Sequence, residues 1–191
     1  MLNDKVILGL LTIAIGIVSY SIYFQNIFRG KIKPDPFSWL IWGMLATITF
    51  FAQMAGAAGP GAWATALTAV VCFLISFSVY LRHDGKIQPI DSVSLIGAVF
   101  AIGIWYATSD PLWAVLLSIL IGAIGFARTL KKAFRRPIQE AAITYFLNAV
   151  KFTLAIFALE IYTPLTFLYP VSLVFMNLLL VGVLLLRRLR P

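Results

Sequence analysis

Residues 6–24 read VILGLLTIAIGIVSYSIYF, a run without one charged side chain. As a helix rising 1.5 Å per residue it is about 28 Å long. The hydrocarbon core of a bilayer is about 30 Å thick. Lipid offers no partner to a free backbone N–H, so such a run crosses as a helix, which satisfies its own amides. Only Lys5 stands before it, and Phe24-Gln25-Asn26-Ile27-Phe28 follows where a signal peptide has small residues. The run therefore predicts a permanent span rather than a removed leader.

Six further runs of the same kind lie C-terminal to it: Phe37 to Gln53, Trp63 to Leu81, Ser92 to Ala107, Pro111 to Ala127, Ala141 to Leu159 and Leu165 to Leu186. Pro34, Pro36, the Gly59-Pro60-Gly61 triplet, Pro137 and Pro164 mark their ends. Pro170 falls inside the seventh and is expected to kink it. Apolar residues make up 61% of the 191 residues, against about 45–50% in a soluble domain. Charged residues make up 12%, about half the usual share. That excludes a soluble enzyme, a DNA-binding domain, a disordered chain and a disulfide scaffold. Cys72 is alone, and His83 has no histidine or cysteine within metal-ligand spacing.

The net charge is +8. Numbering the loops shows where it comes from. Arg29, Lys31 and Lys33 follow the first span, Arg82 and Lys86 the third, and Arg128, Lys131, Lys132, Arg135 and Arg136 the fifth. Arg187, Arg188 and Arg190 follow the seventh, and the intervening loops hold no basic residue. Thirteen of the 15 Lys and Arg residues thus fall on one side, which the positive-inside rule makes cytoplasmic. The N-terminus is then outside and the C-terminus inside. Basic residues spread over four short loops also do not make a nucleic-acid surface.

Sliding the sequence by 106 residues brings Leu10-Leu11 onto Leu116-Leu117 and Gly16 onto Gly122. It also brings Phe28-Arg29 onto Phe134-Arg135, and Phe51-Ala52 onto Phe157-Ala158. One ungapped offset carries spans one to three onto spans five to seven. Shared hydrophobic composition is the competing explanation; fixed-period similarity argues for duplication. The predicted architecture is an all-α integral membrane protein of seven transmembrane helices in a 3+1+3 parallel repeat. Residues 1–86 are the first three-helix unit, 87–110 the linker helix and 111–191 the second unit. Parallel units of this kind belong to transporters.

The plan resembles the PQ-loop superfamily, which includes the SWEET sugar transporters. Where that family has Pro-Gln at the inner end of the first helix, this chain has Phe24-Gln25 followed by Asn-Ile-Phe-Arg-Gly-Lys; the second repeat has Leu130-Lys131. Asn177 matches the pore-facing asparagine of the family's seventh helix, while the position 106 residues earlier is Val71. The stretch from Arg136 to Asn148 is also similar to bacterial seven-helix membrane proteins of this length. The resemblance implies a bacterial cytoplasmic (inner) membrane location. It also allows a homo-oligomer.

Lys151 has ten residues of the sixth span before it and eight after. All seven acidic residues lie at span ends or in loops, so it has no carboxylate at its own depth. A lysine there costs about 2.5–3.5 kcal/mol on insertion scales, and it faces the bundle interior. It either meets an anionic group of a substrate or is a structural lysine, neutral by desolvation or bonded to backbone carbonyls. Asn148 precedes it by one turn, and Asn177 sits at similar depth in the seventh span. Each amide serves a solute or a helix–helix hydrogen bond. Trp39, Trp42, Ala46, Thr49 and Gln53 recur at helical spacing, and their repeat partners are Tyr145, Asn148, Phe152, Ala155 and Leu159. Two such stripes facing each other would wall a solute cavity. The predicted substrate-binding residues are Trp42, Thr49, Tyr145, Asn148, Lys151 and Asn177. Trp39 reads instead as part of the interfacial aromatic belt, and Glu140 and Asp91 as solvated helix caps.

No nucleophile, acid and base group together and no phosphate loop occurs, so neither an enzyme nor a bound cofactor is expected. The expected function is a membrane carrier of a small polar or anionic solute, working by alternating access between the two units. The rival is a non-transporting membrane receptor or interaction subunit on the same plan. Expected partners are the small-molecule solute and the lipid bilayer, with nucleic acid excluded.

Overall fold

Capping and proline placement set where the helices begin. Asn3 accepts the Lys5 amide at 3.2 Å and Asp4 occupies the first turn of α1 (Asp4–Phe28). Pro36 opens α2 (Pro36–Ala55), where its missing N–H has no helical partner to lose. The 3-10 turn Gly59–Ala62 leads into α3 (Trp63–Tyr80). Asp110 accepts from the Leu112 amide at 2.9 Å ahead of Pro111, opening α4 (Pro111–Arg135). A second 3-10 turn, Pro137–Gln139, precedes α5 (Ala142–Phe157), and α6 runs Pro164–Leu189. These elements come from a computed structural model that describes residues 3–32, 34–81 and 109–189, with Ile96, Phe100, Gly103 and Ala107 between them. The expected span at Ser92–Ala107, most of the 87–110 linker, His83 and Asp91 lie outside the described residues.

The described chain is all-helical, and five of its helical stretches are long and apolar enough to cross a membrane: Asp4–Phe28, Pro36–Ala55, Gly59–Tyr80, Pro111–Arg135 and Pro164–Leu189. The protein is therefore membrane-embedded. α5 is shorter than the expected Ala141–Leu159 run, with 16 residues. The last turn tightens, with the Ala158 amide also reaching the Ala155 carbonyl and the Leu159 amide the Ile156 carbonyl, each at 3.2 Å, and the Glu160 amide pairs with Ala58 across the bundle at 3.1 Å, which ends the helix early.

Side-chain contacts fix the directions. Lys5 Nζ donates to the Phe157 carbonyl at 2.7 Å, so α1 runs antiparallel to α5. Arg128 pairs with Asp35 at 3.0 Å, joining the C-terminal part of α4 to the start of α2. Ser76 donates to the Pro36 carbonyl, setting α3 against α2. Arg187 donates to the Phe134 carbonyl, so α4 and α6 end side by side. In the first half α3 packs on both α1 and α2; in the second, α6 packs on both α4 and α5. Across the halves α1 packs on α5 and α2 on α4. The neighbour relations map onto themselves when the halves are exchanged. The six helices thus close into a ring, and α1, α3, α4 and α6 start at one end of it. Every described Lys and Arg except Lys5 and Lys151 lies at the other end.

α6 continues through Pro170. Proline has no N–H, so the carbonyl four residues earlier, that of Thr166, loses its helical donor. Gln53 replaces it: Nε2 of this fully buried side chain donates to the Thr166 carbonyl at 2.9 Å. Gln53→Leu orphans that carbonyl but also removes the unpaired buried Gln53 Oε1, so the net loss of stability should be about 0.5–1 kcal/mol. In a Pro170→Ala background, where the helix supplies the donor, most of that loss should vanish. Thermal unfolding of the four variants in one detergent measures the coupling; equal losses in both backgrounds would contradict the assignment.

Candidate functional site

α2 turns Trp42 inward and α5 turns Tyr145 and Asn148 inward, and between them lies a cavity of about 90 Å³ to which all six helices contribute. The volume is ample for several waters or part of a small solute. The Asn148 side chain is 7% exposed and its Oδ1 has no hydrogen-bond partner. Ser118, fully buried on α4, presents a hydroxyl that is also unpartnered. Buried polar atoms are almost always paired; of the six unpaired buried side-chain atoms among the described residues, these two line the cavity, where a ligand or water has room to supply the missing bonds. Asn177 is on the same wall, with its Nδ2 donating to the Leu173 carbonyl one turn back at 2.7 Å.

The structure thus brings Trp42, Tyr145, Asn148 and Asn177 onto one wall, and leaves Lys151 and Thr49 off it. Thr49 shares the face of Trp42 but stands two turns, about 10 Å, further along α2. There it is fully buried beyond the cavity, its hydroxyl unpartnered. The Lys151 stem passes beside Gly16 of α1, where a Cβ would come within 3.2 Å of its Cδ. Nζ then donates to the Tyr20 hydroxyl at 3.0 Å and to Thr68 Oγ1 at 2.8 Å. It also lies 4.6 Å from the Tyr20 ring centre and 4.4 Å from that of Phe152, within cation–π range. Tyr20 and Thr68 are themselves cavity-wall residues. Lys151 is thus one layer behind the wall, held by hydroxyls rather than backbone carbonyls.

Two other expectations are corrected. Trp39 is 6% exposed, not a belt residue: its ring centre lies 5.0 Å from Tyr23 and 5.4 Å from Trp42. Glu140 is buried rather than a solvated cap. It takes an ion pair from Lys132 at 2.7 Å and a hydrogen bond from the Tyr145 hydroxyl at 2.8 Å. Sequence reasoning also missed Tyr20, Thr68 and Ser118. For Tyr20 a signal existed, since Gly16, Tyr20, Tyr23 and Ile27 form a buried stripe at helical spacing along α1.

Trp39, Trp42 and Tyr145 also floor a second, larger cavity of about 540 Å³ at the basic end of the bundle. These three side chains therefore separate a basic vestibule from the central cavity. The opposite end is packed shut. Ala58, Ala62 and Leu159 are fully buried there. A Cβ on Gly61 would come within 2.9 Å of the Ala155 carbonyl oxygen. Among the described residues, no three His, Cys, Asp or Glu side chains gather as a metal site. The arrangement suits reversible binding of a small solute with one flat or apolar face and one group that donates a hydrogen bond to Asn148 Oδ1. No protein-family model, curated protein or solved structure matches this chain.

Proposed function

We propose that the chain is a seven-span membrane carrier for a small anionic solute, with its basic end in the cytoplasm. The observation that carries the reading is the central cavity: walled by all six described helices, holding two unpaired buried polar groups, leading toward a vestibule at one end and packed shut at the other. That asymmetry is what one state of an alternating-access cycle looks like. The exchange symmetry of helix neighbours supports two parallel three-helix units that rock against each other. The chain leaves α3 at the basic end and enters α4 at the other, as a seven-span chain requires. The buried ammonium of Lys151, compensated among the described residues by dipoles and rings, favours a negative solute in the cavity beside it.

The test has two steps. A thermal-shift screen of the purified protein against small organic acids, sugars and nucleosides identifies a binder, since a ligand that binds only the folded state stabilises it. Flux of that binder is then measured in reconstituted vesicles. Stabilisation by an organic acid together with flux supports the carrier; stabilisation without flux moves the reading to a receptor on the same plan. Asn148→Ala is expected to weaken the binder by about threefold to tenfold, the loss of one neutral hydrogen bond that Oδ1 accepts from the solute. The same change should leave stability the same or raise it, because it removes an unpaired buried oxygen. A marked loss of stability would mean that the amide serves the fold.

A further inference from the structure

All five cations of residues 128–136 face one concavity. Arg128, Lys131, Lys132 and Arg135 recur at i, i+3, i+4 and i+7 on α4, and Arg136 caps it. The positive-inside rule accounts for basic residues at this end of the bundle but not for their gathering on one helix face that lines a concavity. Two of the five meet the carboxylates of the vestibule wall: Arg128 with Asp35 at 3.0 Å, and Lys132 with Glu140 at 2.7 Å. Among the described residues, Lys131, Arg135 and Arg136 line the vestibule, exposed, with no carboxylate against them. A concave site with low-dielectric walls focuses that excess positive charge. Its floor is aromatic, from Trp39, Trp42 and Tyr145. At about 540 Å³ it falls in the range of small-molecule sites.

We infer that the vestibule is a binding site in its own right for a phosphate-bearing anion, held by Lys131, Arg135 and Arg136 above the aromatic floor. Guanidinium groups pair with phosphate bidentately and lysine adds a point charge. The inference goes beyond the carrier reading, because a receptor on this plan would hold the same anion. The phosphate could belong to a soluble solute or to an anionic lipid headgroup at this membrane face.

The probe is inorganic pyrophosphate, titrated against the full-length protein in phosphatidylcholine nanodiscs. Tryptophan emission is followed, because Trp39 and Trp42 form the floor. Wild type should show a saturable change. The combined variant Lys131→Gln, Arg135→Gln and Arg136→Gln should bind about thirtyfold more weakly or worse, having lost three charge-assisted contacts. Lys131→Gln alone, at an exposed position with little risk to folding, should cost about threefold to tenfold. The control is Arg29→Gln with Lys31→Gln, which removes two cations from the same end of the bundle but outside the vestibule; its affinity should equal wild type. In nanodiscs containing phosphatidylglycerol, at an ionic strength that screens the surface potential of the bilayer, a weakened pyrophosphate isotherm identifies the headgroup as an occupant, and an unchanged one identifies a soluble anion. No saturable change in wild type, or a loss in the control as large as in the combined variant, would overturn the assignment. Flux does not enter the readout, so failure of the carrier reading leaves this result standing, and the reverse also holds.

Discussion

Lys151→Met is expected to yield a protein that inserts and folds as wild type does, yet binds its anionic solute about thirtyfold to hundredfold more weakly. The two halves of that result have separate causes. Stability should be unchanged or raised, because a buried ammonium with no carboxylate partner among the described residues is removed and methionine keeps most of its volume. The hydroxyls left behind are not orphaned. Tyr20 still donates to Thr68 at 3.2 Å, and Thr68 to the Ala64 carbonyl at 2.7 Å. Affinity falls because the charge stands one side chain behind the cavity wall. At about 6 Å and an effective dielectric of about 20, a unit charge contributes on the order of 2–3 kcal/mol to an anion. Tyr20→Phe makes the opposite case, keeping the ammonium and removing one of its two hydroxyl acceptors, so it should destabilise by about 1–3 kcal/mol. Calorimetric titration with an identified solute, beside unfolding of both variants, checks both signs. Unchanged affinity in the methionine variant would make Lys151 purely structural.

Glu140→Ala is expected to give the largest loss of stability at the basic end, about 2–3 kcal/mol. It strands the buried Tyr145 hydroxyl and removes the carboxylate from Lys132. Lys132 is 29% exposed, so solvent softens its share. Glu140→Gln keeps an acceptor for Tyr145 and should lose about half as much. Chemical unfolding in one detergent compares the three proteins, with Glu160→Ala at an exposed position as reference. A loss no greater than that of Glu160→Ala would show that the buried pair holds nothing together.

These two side chains show what the sequence could and could not reveal. The depth of Lys151 was legible, because depth is set by counting along an apolar run. Its destination was not, since the stem reaches hydroxyls on α1 and α3, and which neighbours a helix meets is decided by packing of the whole bundle. Glu140 read as a cap because it precedes a span; the 3-10 turn at Pro137–Gln139 instead folds it under Lys132. The helices themselves were legible from long apolar runs and punctuating prolines. Their ends moved where caps such as Asn3 lengthened a helix or a turn such as that at Ala158 shortened one. Asn148 and Asn177 stood out because an amide is rare among apolar residues. Thr68 and Ser118 did not, because in such helices they read as ordinary core.

Alternating access predicts that the central cavity meets water from each face in turn, and this is open to test without knowing the solute. Asn177, half-buried on the cavity wall, is replaced in Asn177→Cys within a Cys72→Ala background, which removes the one native thiol. A membrane-impermeant methanethiosulfonate reagent is then applied to oriented vesicles from one face or the other. The expected result is modification from both faces, faster from the basic end where the vestibule leads inward. Modification from one face alone, or from neither, would contradict alternating access through this cavity.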